Sequence, residues 1–405
     1  MEVLKDKKQI NGLAFLFALT YMIGYITRIN YGAVISEMEK ATNISRALLS
    51  MAVTGSFITY AVGQIVSGVI GDRFSPKKLI MYGLIVSTVM NMLIPVCGSP
   101  YLMTAVWCVN GFAQSFMWPP MVKLMTALLS PDDYRRTTVK VSWGSSCGTI
   151  AVYLISPLII SLSGWKGVFV FSAICGVIMI FVWNRFAVET GVIGNGSVSK
   201  IKRNPGSGFL SPVMICIMAA IVFQGMLRDG VTTWMPSYIA ETYNMSNVIS
   251  ILTGVVLPIF SIMCFQVTSR LYGKTFRNPL MCAGVIFLAG TLSALALYLL
   301  SGSNAALSVL LSALLTGCMH GVNLILICMI PAFFASSGNV STVSGVLNSC
   351  TYVGSSLSTY GIAAISEKLG WNFTLLTWII IAGAGALLCL ICVKPWAKRM
   401  NGQNQ

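Results

Sequence analysis

The chain has 405 residues, of which 56% are hydrophobic and only 9% are charged. A soluble domain carries roughly 25% charged residues, and a mean hydropathy of +0.80 agrees that water is not the main solvent for this surface, so a cytosolic enzyme, a secreted domain and a disordered chain are excluded. The net charge of +15 comes from basic residues scattered through short connections rather than gathered in one patch, which argues topology and not nucleic-acid binding.

A helix that crosses a bilayer needs about 20 mostly apolar residues. Twelve runs qualify: 10–36, 47–70, 78–97, 101–129, 138–163, 166–188, 209–241, 248–270, 278–301, 304–334, 340–367 and 371–395. They are continuous and lack the alternation of barrel strands. The first run follows Lys5, Lys7 and Lys8. It is too long for a signal-peptide core and has no small-x-small cleavage site, so it is expected to stay in the protein. The reading is an all-α membrane protein with twelve spans, six and six. A bundle at 1–188 is expected to join a second at 209–405 through a cytoplasmic linker at 189–208. That linker holds Gly194-Asn195-Gly196-Ser197, Lys200, Lys202, Arg203 and Pro205, a flexible basic composition.

Lys and Arg divide unevenly between the two sides of these spans, 19 against 4. The crowded side is the cytoplasmic one, so both termini are expected inside a plasma (inner) membrane crossed many times. The 12 cysteines sit almost all inside apolar runs. Cys389 and Cys392 have no histidine or second pair nearby, so neither a zinc site nor a disulfide framework is implied. No metal or cofactor is expected, and the partners are a small anionic substrate and the lipid bilayer, with the protein a monomer.

Arg28, Lys123 and Arg228 lie inside apolar runs. Burying an arginine in a bilayer costs several kcal/mol, so such a residue is read first as functional. Arg28 in span 1 and Arg228 in span 7 are 200 residues apart, close to half the chain. Matching polar residues in two repeats point to a transporter site. Other polar groups share a face within their own spans by spacing: Tyr21, Tyr25 and Arg28 in span 1; Tyr60 and Gln64 in span 2; Gln224 and Arg228 in span 7; His320 and Asn323 in span 10; Asn348 and Tyr352 in span 11. Phenols and amides donate to anion oxygens, and guanidinium grips them bidentately. Asp229 stands beside Arg228 as a charge partner or proton carrier, although helix neighbours point about 100° apart.

The connection between spans 2 and 3 reads Gly68, then Gly71-Asp72-Arg73-Phe74-Ser75-Pro76-Lys77-Lys78. It resembles the G-x-x-x-D-R-x-G-R-K gating loop of the major facilitator superfamily. Asp72 is placed to cap helix ends, and Arg73, Lys77 and Lys78 to face anionic lipid. A weak echo, Ser269-Arg270-Leu271-Tyr272-Gly273-Lys274, lacks the acid.

Further motifs are Tyr25-Ile-Thr-Arg28-Ile-Asn30, Gly111-Phe-Ala-Gln114-Ser-Phe-Met-Trp118-Pro119-Pro120, Arg228-Asp-Gly-Val-Thr-Thr-Trp234-Met-Pro236-Ser-Tyr238 and Leu369-Gly370-Trp371. Together they resemble the organophosphate:phosphate antiporters, which include bacterial glycerol-3-phosphate and hexose-phosphate transporters. The resemblance implies a major facilitator fold of two pseudo-symmetric six-helix bundles and alternating access. It also implies that Arg28 and Arg228 bind the anionic group and that Tyr21, Tyr25, Tyr60 and Tyr352 line the site. Compared with the glycerol-3-phosphate members, Gln64 replaces a site lysine and Cys147, after Trp143, a site histidine. Gly225, Asp229 and His320 replace tyrosines. The site loses a cation and gains an anion.

Two transport readings stay open: exchange of a phosphorylated metabolite for inorganic phosphate, and proton-coupled symport of a carboxylate or sugar acid. A transport-inactive sensor is a minor third. An enzyme is not expected, since no H-E-x-x-H, G-x-S-x-G or phosphate-loop signature occurs.

Overall fold

The computed structural model describes residues 4–188, 211–245 and 256–402. The linker expected at 189–208 lies outside the described residues. Every regular element among those described is helical. In chain order these are α1 (Lys7–Thr42), α2 (Arg46–Gly71), α3 (Pro76–Leu93), α4 (Pro100–Gln114), α5 (Trp118–Leu128), α6 (Pro131–Phe186), α7 (Pro212–Tyr243), α8 (Val256–Lys274), α9 (Pro279–Leu299), α10 (Ala305–Asn323), α11 (Val340–Ile391) and α12 (Val393–Gly402).

Sequence punctuation sets the helix starts. Ser75-Pro76, Ser130-Pro131, Ser211-Pro212 and Asn278-Pro279 each supply an N-cap side chain that accepts a backbone N–H of the first turn. The proline after it has no N–H to leave unsatisfied. Asn43 and Asn244 end α1 and α7 with φ of 54° and 50°, the left-handed cap that asparagine tolerates.

Eight of the described helices are long and apolar enough to cross a membrane, and the twelve expected spans map onto the helices as follows. The 56 residues of α6 would reach about 84 Å if straight, but the helix breaks at Gly164, where φ is 69°, and so holds spans 5 and 6. The same break recurs in α11 at Gly370, with φ of 79°, and separates spans 11 and 12. A side chain is strained at such φ values. Each of these glycines is followed by a tryptophan, Trp165 and Trp371. Span 4 is divided by a turn at residues 115–117 into α4 and α5. Span 8 begins outside the described residues and continues as α8. Span 10 leaves the α-form after Asn323, passing through a π-helix at Leu324–Met329 and a 3-10 stretch at Ile330–Ser337.

Large apolar side chains such as Phe15, Leu162, Phe181 and Leu299 are exposed, as a surface solvated by lipid requires. By contact the chain divides into two units, one of Met1–Arg203 with Pro331–Ser349, the other of Asn204–Ile330 with Cys350–Gln405. In the first unit α1 and α6 approach to backbone distance: a Cβ on Gly148 would lie 2.6 Å from the Met22 carbonyl. In the second, Gly354 of α11 is pressed against the Val222 carbonyl of α7. Small residues permit this seam where no hydrophobic effect drives helices together.

Candidate functional site

In the first unit, Arg28 is largely buried on α1. Its guanidinium carbon lies 4.3 Å from the centre of the Tyr25 ring and 4.7 Å from that of Tyr60. Tyr25 is three residues before Arg28 on the same face, and Tyr60 comes from α2. Tyr21 extends the aromatic wall, with ring centres 5.3 Å from Tyr25 and 5.2 Å from Trp118. Cation–π contact of this kind engages the faces of the guanidinium, while oxyanions are gripped at its N–H edges. Gln64 is fully buried, and its amide donates to the Ser115 carbonyl at 3.4 Å. Cys147 is exposed on α6.

Directly behind Arg28 lies a buried amide network. The Thr27 carbonyl accepts from Asn91 (2.9 Å) and from Asn110 (3.1 Å). Gln114 donates to the Thr27 hydroxyl at 2.8 Å and to Ser87 at 2.7 Å, and Ser87 donates to Asn110 at 2.7 Å. Asn30 donates to Asn91 at 2.8 Å and to Ser172 at 2.9 Å. Side chains from α1, α3, α4 and α6 thus converge on the α1 backbone around Arg28, all of them buried. Buried polar networks that are satisfied rigidify their surroundings.

At the loop after α2, Asp72 accepts from the backbone N–H of Ser341 (3.0 Å) and of Thr342 (2.8 Å), and from the Thr342 hydroxyl (2.6 Å). It caps the first turn of α11 from the C-terminal end of α2. Lys123, one of the three cations inside apolar runs, donates to the Gly71 carbonyl at 2.7 Å. Gly68 and Gly71 pack on the same segment, against the Ser341 backbone and hydroxyl. Arg73 and Lys78 are exposed and Lys77 half-buried.

In the second unit, Arg228 and Asp229 meet side by side on α7. Nε donates to Asp229 Oδ1 at 2.6 Å and Nη2 to Oδ2 at 2.8 Å. The Ser355 hydroxyl of α11 donates to Oδ2 as well. His320, the chain's single histidine, stacks edge-on against Phe265, with ring centres 5.5 Å apart. Gln224 is fully buried and donates to the Met319 carbonyl at 3.1 Å. Tyr352 is buried on α11, one turn before Ser355. Gly225 sits against the Thr351 carbonyl, where a side chain would not fit.

The arrangement offers two guanidinium groups, one per unit, with tyrosine faces around the first and a carboxylate on the second. Among the described residues no group of three or more His, Cys, Asp or Glu side chains is placed to hold a metal ion. Sequence reasoning missed the amide network and Ser355.

Charged side chains buried in membrane-spanning helices mark substrate or ion pathways in membrane proteins. The sequence profile of the Major Facilitator Superfamily matches residues 17–359, and the chain belongs to that family, whose members are membrane transporters and not enzymes. The chain is 23% identical over 403 residues to the membrane sensor protein UhpC of Salmonella typhimurium, covering 94% of this chain and 91% of that one. It is 23% identical over 380 residues to the glycerol-3-phosphate transporter of Bacillus subtilis, covering 86% and 84%. The solved structure of the proton:xylose symporter XylE superposes with a TM-score of 0.77 over 96% of both chains, at 14% identity, which shows the shared fold. The glycerol-3-phosphate relative lies in the antiporter group that the motifs resemble.

Proposed function

We propose that this chain moves a small organic anion by alternating access, and that the anion is a phosphorylated metabolite exchanged for inorganic phosphate. Arg28 and Arg228 each contribute a guanidinium to the anionic group. The observation that carries this reading is Arg28, set against the faces of Tyr25 and Tyr60. A cation buried inside an apolar bundle and stacked on its faces is oriented to receive an oxyanion at its edge. The match to a glycerol-3-phosphate transporter supports the phosphorylated class.

A second reading, proton-coupled symport of a carboxylate or sugar acid, is favoured by the Asp229 carboxylate, bonded to Arg228 and Ser355. A third, a sensor that binds without transport, is favoured by the match to UhpC. Counterflow in proteoliposomes separates them. Under exchange, phosphate-loaded vesicles take up labelled phosphate ester with no proton gradient. Symport needs the gradient and ignores internal phosphate. A sensor binds ligand and moves none. Uptake that is indifferent to internal phosphate overturns the first reading.

A further inference from the structure

We propose that the basic end of the second unit, formed by the α8–α9 connection and α12, binds an anionic phospholipid. Lys274, Arg277, Lys394 and Lys398 receive the headgroup phosphate, and the acyl chains lie on the neighbouring faces of α9 and span 12. The inference is independent of which substrate the chain carries.

One side chain brings the cations together. The Asn278 amide oxygen caps α9 by accepting from the Leu280 and Met281 N–H groups at 2.9 and 3.3 Å. Its amide nitrogen donates to the Val393 carbonyl at 3.1 Å, which ties the start of α12 to the start of α9. Arg277 precedes Asn278 and Lys394 follows Val393, so two exposed cations flank that bond. Lys274, also exposed, ends α8 just before them. Lys394 and Lys398 are one turn apart on α12, and both are exposed. Trp396, two residues from each and so on the opposite side of the helix, is buried. The indole anchors α12 in the protein while the amines face outward.

These charges have no counter-charge in the protein. No Asp or Glu occurs in 242–366 or in 368–405. The acid between those stretches, Glu367, precedes span 12 and so lies at its other end. Among the described residues no ion pair involves any of the four cations. The basic connections of the first unit differ, for they hold Asp6, Asp72, Asp132 and Asp133, and Arg135 pairs with Asp132 at 3.3 Å. Like charges held at one edge repel one another, and a phosphodiester among them offsets that repulsion.

Apolar surface beside the cations makes the occupant an amphiphile rather than a soluble phosphate. Helix α9 and span 12 are neighbours, since a Cβ on Gly284 would lie 2.8 Å from the Leu390 side chain. Met281 and Leu288 are exposed on α9, and Leu387 and Ile391 on span 12. Each pair repeats at helical spacing, so two apolar stripes lead away from the basic end. Basic side chains next to a bilayer attract anionic lipid by about fivefold each.

The test is native mass spectrometry of the purified full chain, titrated with phosphatidylglycerol or with phosphatidylcholine of the same acyl chains. Wild type is expected to bind phosphatidylglycerol at least about tenfold tighter. Two double variants, Lys274→Gln with Arg277→Gln and Lys394→Gln with Lys398→Gln, should each lose about tenfold or more of that affinity. Thermal unfolding without lipid checks that they fold. Lys7→Gln with Lys8→Gln, which removes two exposed cations from the first unit, should keep wild-type affinity. Excess inorganic phosphate should not displace the lipid. Equal wild-type affinities for the two lipids overturn the proposal, as does a preference that survives both double variants. An equal loss in the Lys7 and Lys8 variant would show a diffuse attraction to every basic connection and no site. Displacement by inorganic phosphate would show a soluble-anion site and would also overturn it.

Discussion

Replacing Asp72 by asparagine tests whether the loop after α2 governs conformation or binding. Three hydrogen bonds reach the Asp72 carboxylate from Ser341 and Thr342, at 2.6 to 3.0 Å. The two backbone donors belong to the first turn of α11, where N–H groups have no partner within the helix. An amide keeps one acceptor oxygen and turns the other into an NH2 that cannot accept, so at least one bond is lost and the negative charge at the helix N-terminus disappears. A hydrogen bond to a charged group contributes about 1.5–3 kcal/mol, and the helix-dipole term adds about 0.3–1 kcal/mol. Asp72 is half-buried, so the lower part of these ranges applies, and the loss is about 2–3 kcal/mol. That is roughly a 30- to 150-fold shift in the equilibrium that the cap supports. Pro331–Ser349 cluster with the first unit although the chain on both sides belongs to the second, and Asp72 is one of the ties. Turnover in proteoliposomes should fall by about tenfold or more while the ligand Kd moves by less than about threefold, because the perturbation acts on a conformational equilibrium and not on the ligand. Amide hydrogen exchange at Ser341 and Thr342 should quicken in the variant. A large loss of affinity with unchanged exchange at those two amides would refute the reasoning.

Three other perturbations address the site itself. Arg28→Lys and Arg228→Lys should each abolish most uptake at normal membrane levels, because lysine keeps the charge and loses the planar fork; near wild-type uptake by either variant removes that residue from the anion site. Gly148→Ala puts a Cβ 2.6 Å from the Met22 carbonyl and 2.9 Å from Tyr25 Cβ, so overpacking should cost about 1–3 kcal/mol, lower the Tm and weaken anion binding through Tyr25, as thermal unfolding with and without ligand will show. Asn110→Leu removes the acceptor of the Ser87 hydroxyl and one of the two donors to the Thr27 carbonyl, which keeps Asn91, and leaving the buried Ser87 hydroxyl without an acceptor should destabilise the protein by about 1–3 kcal/mol; an unchanged Tm would mean that the network relaxes around the loss.

The spans were legible because lipid imposes long apolar runs and short basic connections. Arg28 and Arg228 stood out because a charge in such a run is rare, and both side chains are largely buried. Tyr25 fell out of helical spacing, and its ring does stack on Arg28. Tyr60 comes from a different helix; spacing paired it with Gln64, and its place against Arg28 is a contact between helices that spacing does not give. The amide network was not read, for a specific reason. Spacings of three and four reveal polar pairs only within one helix, whereas Asn91 and Asn110 are single residues in separate runs that meet at the Thr27 carbonyl only in three dimensions. A search for lone amides inside apolar runs would have found them. The hydrogen-bonded pairing of Arg228 with Asp229 runs against helix geometry and depends on the length of the arginine side chain, which periodicity does not capture. The π-helix at Leu324–Met329 leaves no trace in composition, since the residues Leu-Ile-Leu-Ile-Cys-Met suit any buried helix. The repeat of a broken helix at Gly164-Trp165 and Gly370-Trp371 was visible in the sequence and went unpaired there, because only the second copy lies in a family motif.

Under the proposed mechanism, the two arginines hold an anion that the chain exchanges across the membrane. The most direct measurement is counterflow of labelled inorganic phosphate into phosphate-loaded proteoliposomes at pH 5.5 (where the singly charged form is abundant), run for wild type, Arg28→Lys and Arg228→Lys side by side. Wild type is expected to show rapid counterflow and both variants near-complete loss, with all three proteins reconstituted to the same level. Counterflow that survives either substitution, or its absence in wild type while ligand binding persists, would contradict it.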